Sequence, residues 1–315
     1  MELNSTKMTL TESKAELLRS VARMYYILGM NQEMIANKLS ISRSSIARFL
    51  AEARECGIVE IRVNGVNDAT RCPELEEQLM KIYKLRDIVV VSGDSEKQYC
   101  VVAAQYIKSL LPYKGTIAIG GGRTLFSIGQ CIHTNKPYTE LQCVQSTGIM
   151  CEAVPSTAVV QTWAANLNAA AVYLSVPAIA ASDEAHAVLI NDPMYERSYE
   201  LMKKADICLL GIGTVAQLFD SNLAESLLSH YQEELHESCV GDVCFHLYNC
   251  QGDFCMPEWS KRVCGLSQVD YLRIPVRAAA AFGPNKVQAI AGALRGRLVN
   301  ILITNEKTAR QLAEI

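Results

Sequence analysis

Apolar residues recur at helical spacing along the first sixty residues of the chain. Asn31 is a suitable N-cap for a second helix, and a third helix begins near Ser42. Because only Ser40, Ile41 and Ser42 separate the second helix from the third, the spacing predicts a helix-turn-helix arrangement. The first apolar stripe, which ends at Gly29, consists of Ala15, Leu18, Val21, Ala22, Tyr25 and Leu28.

The third predicted helix is followed by the pattern of a short strand. Setting Ile46 inward places Phe49, Leu50 and Ala53 on the same face of the helix. Gly57 ends this helix, and residues 58–63 alternate between apolar and mostly charged positions, as a half-buried strand does. The N-terminal residues therefore predict three helices and then a strand.

From Asp87 onward, predicted strands alternate with predicted helices. Most of the strands are nearly continuous apolar runs, which suit strands buried on both faces of a mostly parallel sheet. The strands fall at 87–92, 116–120, 141–146, 171–176, 206–211, 271–276 and 299–304, and the helices at about 96–111, 124–132, 157–169, 183–204, 286–295 and 306–314. With right-handed crossovers, this order predicts a larger, doubly wound α/β domain.

A linker and one further helix lie between these two parts. Residues 64–73 have the composition of a linker, and the next helix carries Leu75, Leu79 and Ile82 on one stripe. This stripe suits either a helix docked on its own domain or a dimerising helix. The predicted boundaries are therefore 1–65 for the helix-turn-helix domain, 66–86 for the linker and helix, and 87–315 for the α/β domain.

Composition adds a charge asymmetry and a compartment. Of 315 residues, 50% are hydrophobic and 20% are charged, which fits about two folded domains. The formal net charge is -3, yet residues 1–65 hold nine basic and seven acidic residues, a net of +2. The 12 cysteines lack the spacing of secreted frameworks, and neither a signal peptide nor a membrane span is visible. We therefore expect a cytoplasmic protein with reduced thiols.

The third helix presents side chains that suit a DNA groove. Ser44 and Arg48 lie opposite Ile46, and Arg43 and Ser45 flank them. Small hydroxyls allow close approach to DNA, and a guanidinium can bind guanine or a phosphate. The predicted DNA-binding residues are Gln32, Ser42, Arg43, Ser44, Ser45 and Arg48. The alternative is a three-helix packing module whose polar face is merely solvated, although the basic surplus over 38–54 favours DNA.

Glycine-rich turns after the strands predict a phosphate site. Gly121, Gly122, Arg123 and Thr124 follow a strand and open a helix, where backbone amides can bind an anion. Thr147 and Gly148 follow another strand, and open α/β sheets bind ligands at this carboxyl edge. Each turn could instead be only a tight connection. We interpret residues 211–216, a weak match to G-x-G-x-x-A, as such a turn beside the pocket.

Several segments resemble one family of bacterial transcriptional regulators, the SorC (DeoR-like, sugar-binding) family. They include MNQEMIANKLSISRSSIARFLAEARECGIVEIRV, IAIGGGRTL, ESCVGDV and NKVQAIAGALRGRLVNILITNEKTA. The resemblance implies a winged-helix-like DNA-binding domain joined to an effector domain of the sugar-phosphate isomerase and CoA-transferase type. It also implies a homodimer or homotetramer whose affinity for operator DNA is set by a phosphorylated sugar or a related metabolite.

The resemblance assigns two further site residues. Asp242 matches the acidic residue that accepts sugar hydroxyls, and Lys286 matches a lysine on the phosphate side. Without the resemblance, Asp242 could be a turn residue and Lys286 a solvated lysine. Two positions depart from the family pattern, because Asn249 stands where many relatives have an acid and Arg297 where a glycine is common.

Two other classes of function compete with the regulator. An isomerase-like enzyme could use Asp242 or His246 for acid and base chemistry, although no carboxylate–histidine cluster has catalytic spacing. A metal or redox sensor could use the cysteines between Cys239 and Cys264, although these lack the C-x2-C spacing of zinc knuckles. We therefore expect no catalytic residue, no cofactor and no metal.

Overall fold

The chain folds into two compact units, Met1–Asn64 and Gly65–Ile315. The computed structural model describes residues 12–27, 29–56, 58–59, 70–134, 137–150, 154–219, 235 and 237–315. Of the strand predicted at 58–63, Ile58 and Val59 form a bend, and the other positions lie outside the described residues.

The smaller unit contains the three predicted helices. They are α1 (Glu12–Ala22), which continues into a π-helical turn at Arg23–Ile27, α2 (Gln32–Leu39) and α3 (Arg43–Glu55). The cap predicted at Asn31 is confirmed, because its side chain accepts from the Met34 amide, and the Ser42 hydroxyl also caps its helix by accepting from the Ser45 amide. The buried residues that join these helices include Leu18, Val21, Ile35, Ile46, Leu50 and Ala53.

Helix α4 (Pro73–Tyr83) belongs to the larger unit. The Glu76 carboxylate receives two 2.8 Å hydrogen bonds from Arg71 and a third, also 2.8 Å, from the Val90 amide of the first strand. Leu79 is fully buried, whereas Ile82 is 48% exposed. The helix is thus docked on its own unit through Leu79 and Glu76, and its role as a dimerising helix stays a prediction.

The core of the larger unit is a seven-stranded sheet with the order β1-β9-β8-β5-β2-β3-β4, in which every pair is parallel. The strands are β1 (Asp87–Val91), β2 (Lys114–Ile119), β3 (Glu140–Gln145), β4 (Ala170–Val172), β5 (Ile207–Leu210), β8 (Val276–Ala280) and β9 (Ile301–Asn305). A separate antiparallel hairpin consists of β6 (Gly241–Val243) and β7 (His246–Tyr248).

Helices cover both faces of this sheet. The described helices after β1 are α5 (Glu96–Leu110), α6 (Arg123–Gln130), α7 (Ser156–Leu167), α8 (Asp183–Ile190), α9 (Pro193–Met202), α10 (Val215–Phe219), α11 (Pro257–Ser260), α12 (Gln268–Arg273), α13 (Val287–Arg295) and α14 (Glu306–Ala313). Val215 and Leu218 of α10 and Trp259 of α11 pack in a third cluster apart from the sheet. Alternate residues of each strand enter opposite cores: Ile88 and Ala118 contribute to one, and Val89 and Ile117 to the other. The sheet is thus covered on both faces, which explains its nearly continuous apolar strands.

Besides the strand predicted at 171–176, which spans only Ala170–Val172 in the structure, two predicted elements are wrong in their limits. The strand predicted at 271–276 is displaced: α12 occupies Gln268–Arg273, capped by the Ser267 hydroxyl, and β8 begins at Val276. The single helix predicted at 183–204 is two helices, because Asp192 caps a new helix whose first residue is Pro193. In both cases a polar cap starts a helix that apolar periodicity alone does not delimit.

One position that departs from the family pattern has an uncommon backbone conformation. Arg297, at a position where the resembling family commonly has glycine, adopts φ 54°, the left-handed conformation that glycine tolerates best.

Among the residues that the structure describes, we find no helix with the length and apolar composition of a membrane-spanning segment.

Candidate functional site

Four loops meet at the carboxyl edge of the central strands β8, β5, β2 and β3, which are neighbours in the sheet. The loops begin at Ala281, Gly211, Gly120 and Ser146. Backbone hydrogen bonds fix their starts, since the Gly120 amide donates to Leu209 and the Ser146 amide to Ile119 of a neighbouring strand. Open α/β sheets bind ligands at this edge.

The loop after β2 opens helix α6. Gly122 has φ 102° and is the N-cap of α6, and no side chain caps the helix there. The first-turn amides of α6 include those of Arg123 and Thr124, and Gly122 has no side chain that could bond to them. Arg123 is exposed, and Gly121 packs against Ser156, to which an added Cβ would come within 3.4 Å. This turn supplies amide donors and one cation.

Asp242 lies in the β6–β7 hairpin and pairs with the loop after β5. Its backbone and that of Gly213 exchange two hydrogen bonds of 3.3 Å, and its carboxylate accepts from the Phe245 amide at 3.0 Å. A Cβ on Gly213 would fall 1.9 Å from the Asp242 carboxylate. Only a glycine at 213 therefore allows the carboxylate to occupy its place.

Lys286 lies beside Asp242. It closes a short 3-10 turn, Pro284–Lys286, and its ammonium donates to the Ile212 carbonyl at 2.7 Å. Burial lowers the pKa of Lys286, Asp242 opposes this shift, and Arg123 adds to it. Burial raises the pKa of Asp242 to about 6, against the opposing effects of the Phe245 amide and Lys286. Three residues predicted separately, Arg123, Asp242 and Lys286, thus form one electrostatic group.

Thr147 and Gly148, which were predicted to bind the effector, are bonded to neighbouring backbone in the structure. The Gly148 amide donates to the Cys264 carbonyl at 2.8 Å, and an added Cβ would lie 2.5 Å from the Val176 and Pro177 carbonyl oxygens. Thr147 is 2% exposed and is bridged to Gly265. In this structure the Gly148 amide already donates to the Cys264 carbonyl, because its segment packs against the segments that contain Cys264 and Pro177.

Gln145 holds that segment and has no counterpart among the predicted residues. Its amide nitrogen donates to the Thr147 carbonyl at 3.1 Å and to the Ser156 hydroxyl at 2.8 Å, and its amide oxygen accepts from Leu174. The neighbouring Ser146 hydroxyl is buried and makes no hydrogen bond within the described part of the chain. A polar residue directly after the buried Cys143 and Val144, at the last position of β3, is the sequence signal for this role.

The N-terminal end of α3 is the second candidate surface. Arg43, Ser44 and Arg48 are exposed, and the Arg48 guanidinium lies 5.7 Å from the centre of the Phe49 ring. The Ser42 hydroxyl caps the helix and lies 2.8 Å from the Ser45 hydroxyl, so these two serines shape the turn. Gln32 is the first residue of α2 and is half-buried. The first turn of α3 contains no acidic residue.

A cavity of about 760 Å³, which was not predicted from the sequence, is lined by residues between His186 and Val269. Its wall includes the rings of Tyr195 and Tyr199, which stack with 5.8 Å between centroids, together with His246 and Cys255. Burial lowers the pKa of His246 to about 4. None of the predicted effector residues lines this cavity. Within the described ranges, no three His, Cys, Asp or Glu side chains are grouped as a metal site.

Comparison with known protein families identifies the domain that contains this carboxyl edge. Residues 67–314 match the model of a sugar-binding domain family. The chain belongs to this family. Because these residues include the whole sheet and its carboxyl-edge loops, the candidate site lies inside the sugar-binding domain.

Relatives extend the similarity over the smaller unit. The chain is 28% identical over 316 residues to the deoxyribonucleoside regulator of Bacillus subtilis (strain 168), covering 95% of this chain and 97% of the relative. It is 27% identical to the sorbitol operon regulator of Klebsiella pneumoniae, covering 94% and 97%. The crystal structure of the full-length Klebsiella regulator superposes with a TM-score of 0.69 at 23% identity, covering 96% of this chain and 100% of that one. The resemblance to SorC-type regulators is thus confirmed.

Proposed function

We propose that the protein is a transcriptional regulator of a carbohydrate-utilisation operon, and that a phosphorylated sugar controls its affinity for operator DNA. Family membership and the names of its relatives, an operon regulator and a deoxyribonucleoside regulator, support this function. The observation that carries it is the grouping of Arg123, Asp242 and Lys286 at the carboxyl edge of the sugar-binding domain.

The charges of this group suit a phosphorylated and hydroxylated ligand. The guanidinium of Arg123, the ammonium of Lys286 and the amides at the start of α6 are donors for a dianionic phosphate. The Asp242 carboxylate is an acceptor for sugar hydroxyls. The Lys286 ammonium donates to the Ile212 carbonyl, and a phosphate oxygen would offer it a charged acceptor. Thr147 and Gly148 then act as a supporting wall.

Calorimetric titration with paired sugars and sugar phosphates tests the effector assignment. Because hydrogen bonds to charged groups are about twice as strong as neutral ones, the phosphate form should bind much more tightly than the free sugar. Lys286→Ala should remove that preference, and Asp242→Ala should weaken both members of a pair. Lys97→Ala, an exposed lysine on α5, is the matched control. Equal binding of the free sugar and its phosphate contradicts the assignment.

The smaller unit is proposed to bind DNA through α3. The exposed Arg43, Ser44 and Arg48 lie opposite the buried Ile46 and Leu50, an orientation suited to a recognition helix in the major groove. Ser42 and Ser45 shape the helix start, and Gln32 is placed to contact the DNA backbone. The partners proposed are therefore operator DNA and a phosphorylated sugar.

We also propose a homodimer or homotetramer. One recognition helix reads one half-site, and two-fold operators mirror two-fold proteins. Sedimentation at micromolar concentration should show at least a dimer. A monomer that binds operator DNA tightly would contradict this assembly.

An isomerase-like enzyme is the second candidate function, favoured only by the raised pKa of Asp242 in a polar site. The regulator is preferred because His246, the other candidate for acid and base chemistry, donates from Nε2 to the Leu266 carbonyl at 2.8 Å and lines the separate cavity. Turnover of a sugar phosphate by the purified protein would support the enzyme.

A further inference from the structure

Two cysteine sulfurs lie close together next to the hairpin that carries Asp242. The Sγ atoms of Cys239 and Cys255 are 2.8 Å apart. A disulfide requires about 2.05 Å, so an approach of less than about 1 Å would join them. The Cys208 and Cys244 thiols also interact, but the hydrogen bond with Cys244 and then burial raise the pKa of Cys208 far above its ordinary value.

Backbone pairing holds the two cysteines on either side of strand β7. The Cys255 amide donates to the Leu247 carbonyl at 2.9 Å, and the amide of Val240, next to Cys239, donates to the Tyr248 carbonyl at 2.9 Å. Both segments are therefore fixed to the same short strand. Their side chains meet without any change in the strand pairing.

We propose that Cys239 and Cys255 are an oxidation site that forms a reversible disulfide on exposure to a peroxide. The site is accessible from one side, because Cys255 is half-buried and lines the 760 Å³ cavity, whereas Cys239 is only 7% exposed. A small peroxide can enter such a cavity. Cys255 is thus the thiol that attacks the peroxide, and Cys239 then attacks the oxidised sulfur of Cys255.

The reaction balances as a two-electron oxidation. The Cys255 thiolate attacks one peroxide oxygen, the O–O bond breaks, and the product is a sulfenic acid and, after protonation, one water. The Cys239 thiol then attacks that sulfur, the S–S bond forms, and the sulfenic oxygen leaves as a second water. Two thiols are oxidised, and hydrogen peroxide is reduced to two waters. In a reducing compartment the bond is transient.

Peptide mapping of the full-length protein tests the proposal directly. The protein is treated with hydrogen peroxide, its remaining thiols are alkylated, and it is cleaved on the amino side of aspartate. Cleavage before Asp242 and Asp253 places Cys239 and Cys255 on different peptides. We expect these two peptides to be recovered linked as the main oxidised product and to separate after dithiothreitol. Fragmentation distinguishes Cys255 from Cys264 on the same peptide.

Variants and an unfolded control separate native pairing from random oxidation. Cys255→Ser should abolish the linked product, and Cys250→Ser, an exposed cysteine of the same region, should retain it. In urea-unfolded protein the Cys239–Cys255 link should fall to the level of other pairs. Separate alkylation of Cys239 and Cys255 after peroxide treatment, or equal yield in urea, overturns the proposal. None of these readouts depends on DNA or sugar binding.

Discussion

The Asp242 carboxylate occupies a buried position that destabilises the fold at neutral pH. Burial raises its pKa to about 6 from an ordinary value of 3.8. The folded protein therefore holds this proton more tightly than the unfolded chain does. Stability from this group is fully present below about pH 3.8 and is lost as the pH rises through about 6.

The Asp242→Asn variant should accordingly be more stable than the wild type at pH 7, by about 1–2 kcal/mol after allowance for partial exposure. This advantage should shrink as the pH falls from about 6 towards 4, because the wild-type carboxyl then becomes neutral. Urea unfolding of both proteins at pH 7 and pH 4.5 measures the difference. A constant difference at the two pH values contradicts the raised pKa.

Arg48 is the residue on which DNA binding should depend most clearly. Arg48 is exposed on α3, and its guanidinium lies 5.7 Å from the centre of the Phe49 ring. Arg48→Ala should weaken operator binding by about 1–3 kcal/mol if it contacts a base, with the fold intact. Fluorescence anisotropy at fixed salt measures the change, and Arg273→Ala, an exposed arginine of the larger unit, is the control. Equal losses of operator affinity in the two variants would show that Arg48 does not contact the DNA.

At the scale of elements, the loop after β5 positions the hairpin. Gly213→Ala should displace the Asp242 carboxylate, because the new Cβ would fall 1.9 Å from it. We expect at least tenfold weaker sugar phosphate binding, equivalent to about 1.4 kcal/mol. Gly211→Ala is a matched control in the same loop, since nothing lies within 4 Å of its added Cβ. Calorimetry compares the two variants, and equal affinities contradict the role of Gly213.

The sequence predicts elements best where local pattern and packing agree. Strands β1 and β2 end in buried apolar residues, and Asn31 caps its helix as expected. The strand predicted at 271–276 failed because Tyr271 and Leu272 fit a short helix as well as a strand, and in that helix only Tyr271 is buried.

The candidate site was predictable only in part. Glycine-rich turns revealed Arg123, and the family resemblance revealed Asp242 and Lys286. Gln145 and Gly213 were missed as positioning residues because their roles depend on partners far away in the chain, Ser156 and Asp242. Likewise, nothing local shows that the Gly148 amide is bonded to Cys264.

At the scale of the whole molecule, the proposed function assigns one task to each unit. The smaller unit presents the exposed face of α3, and the larger unit gathers the charged group at the carboxyl edge of its sheet. Regulation requires that ligand binding in the larger unit changes DNA binding by the smaller one. Such coupling is typically worth 1–3 kcal/mol, or about 5- to 150-fold in affinity.

Titration of labelled DNA from the region upstream of the protein's own gene, with and without ligand, tests this central claim most directly. A panel of pentose and hexose phosphates is compared with the matching free sugars at fixed salt. We predict that a sugar phosphate that binds in calorimetry changes the DNA affinity at least fivefold, that its free sugar does not, and that Lys286→Ala removes the effect. An unchanged DNA affinity at a saturating concentration of that sugar phosphate would contradict the account.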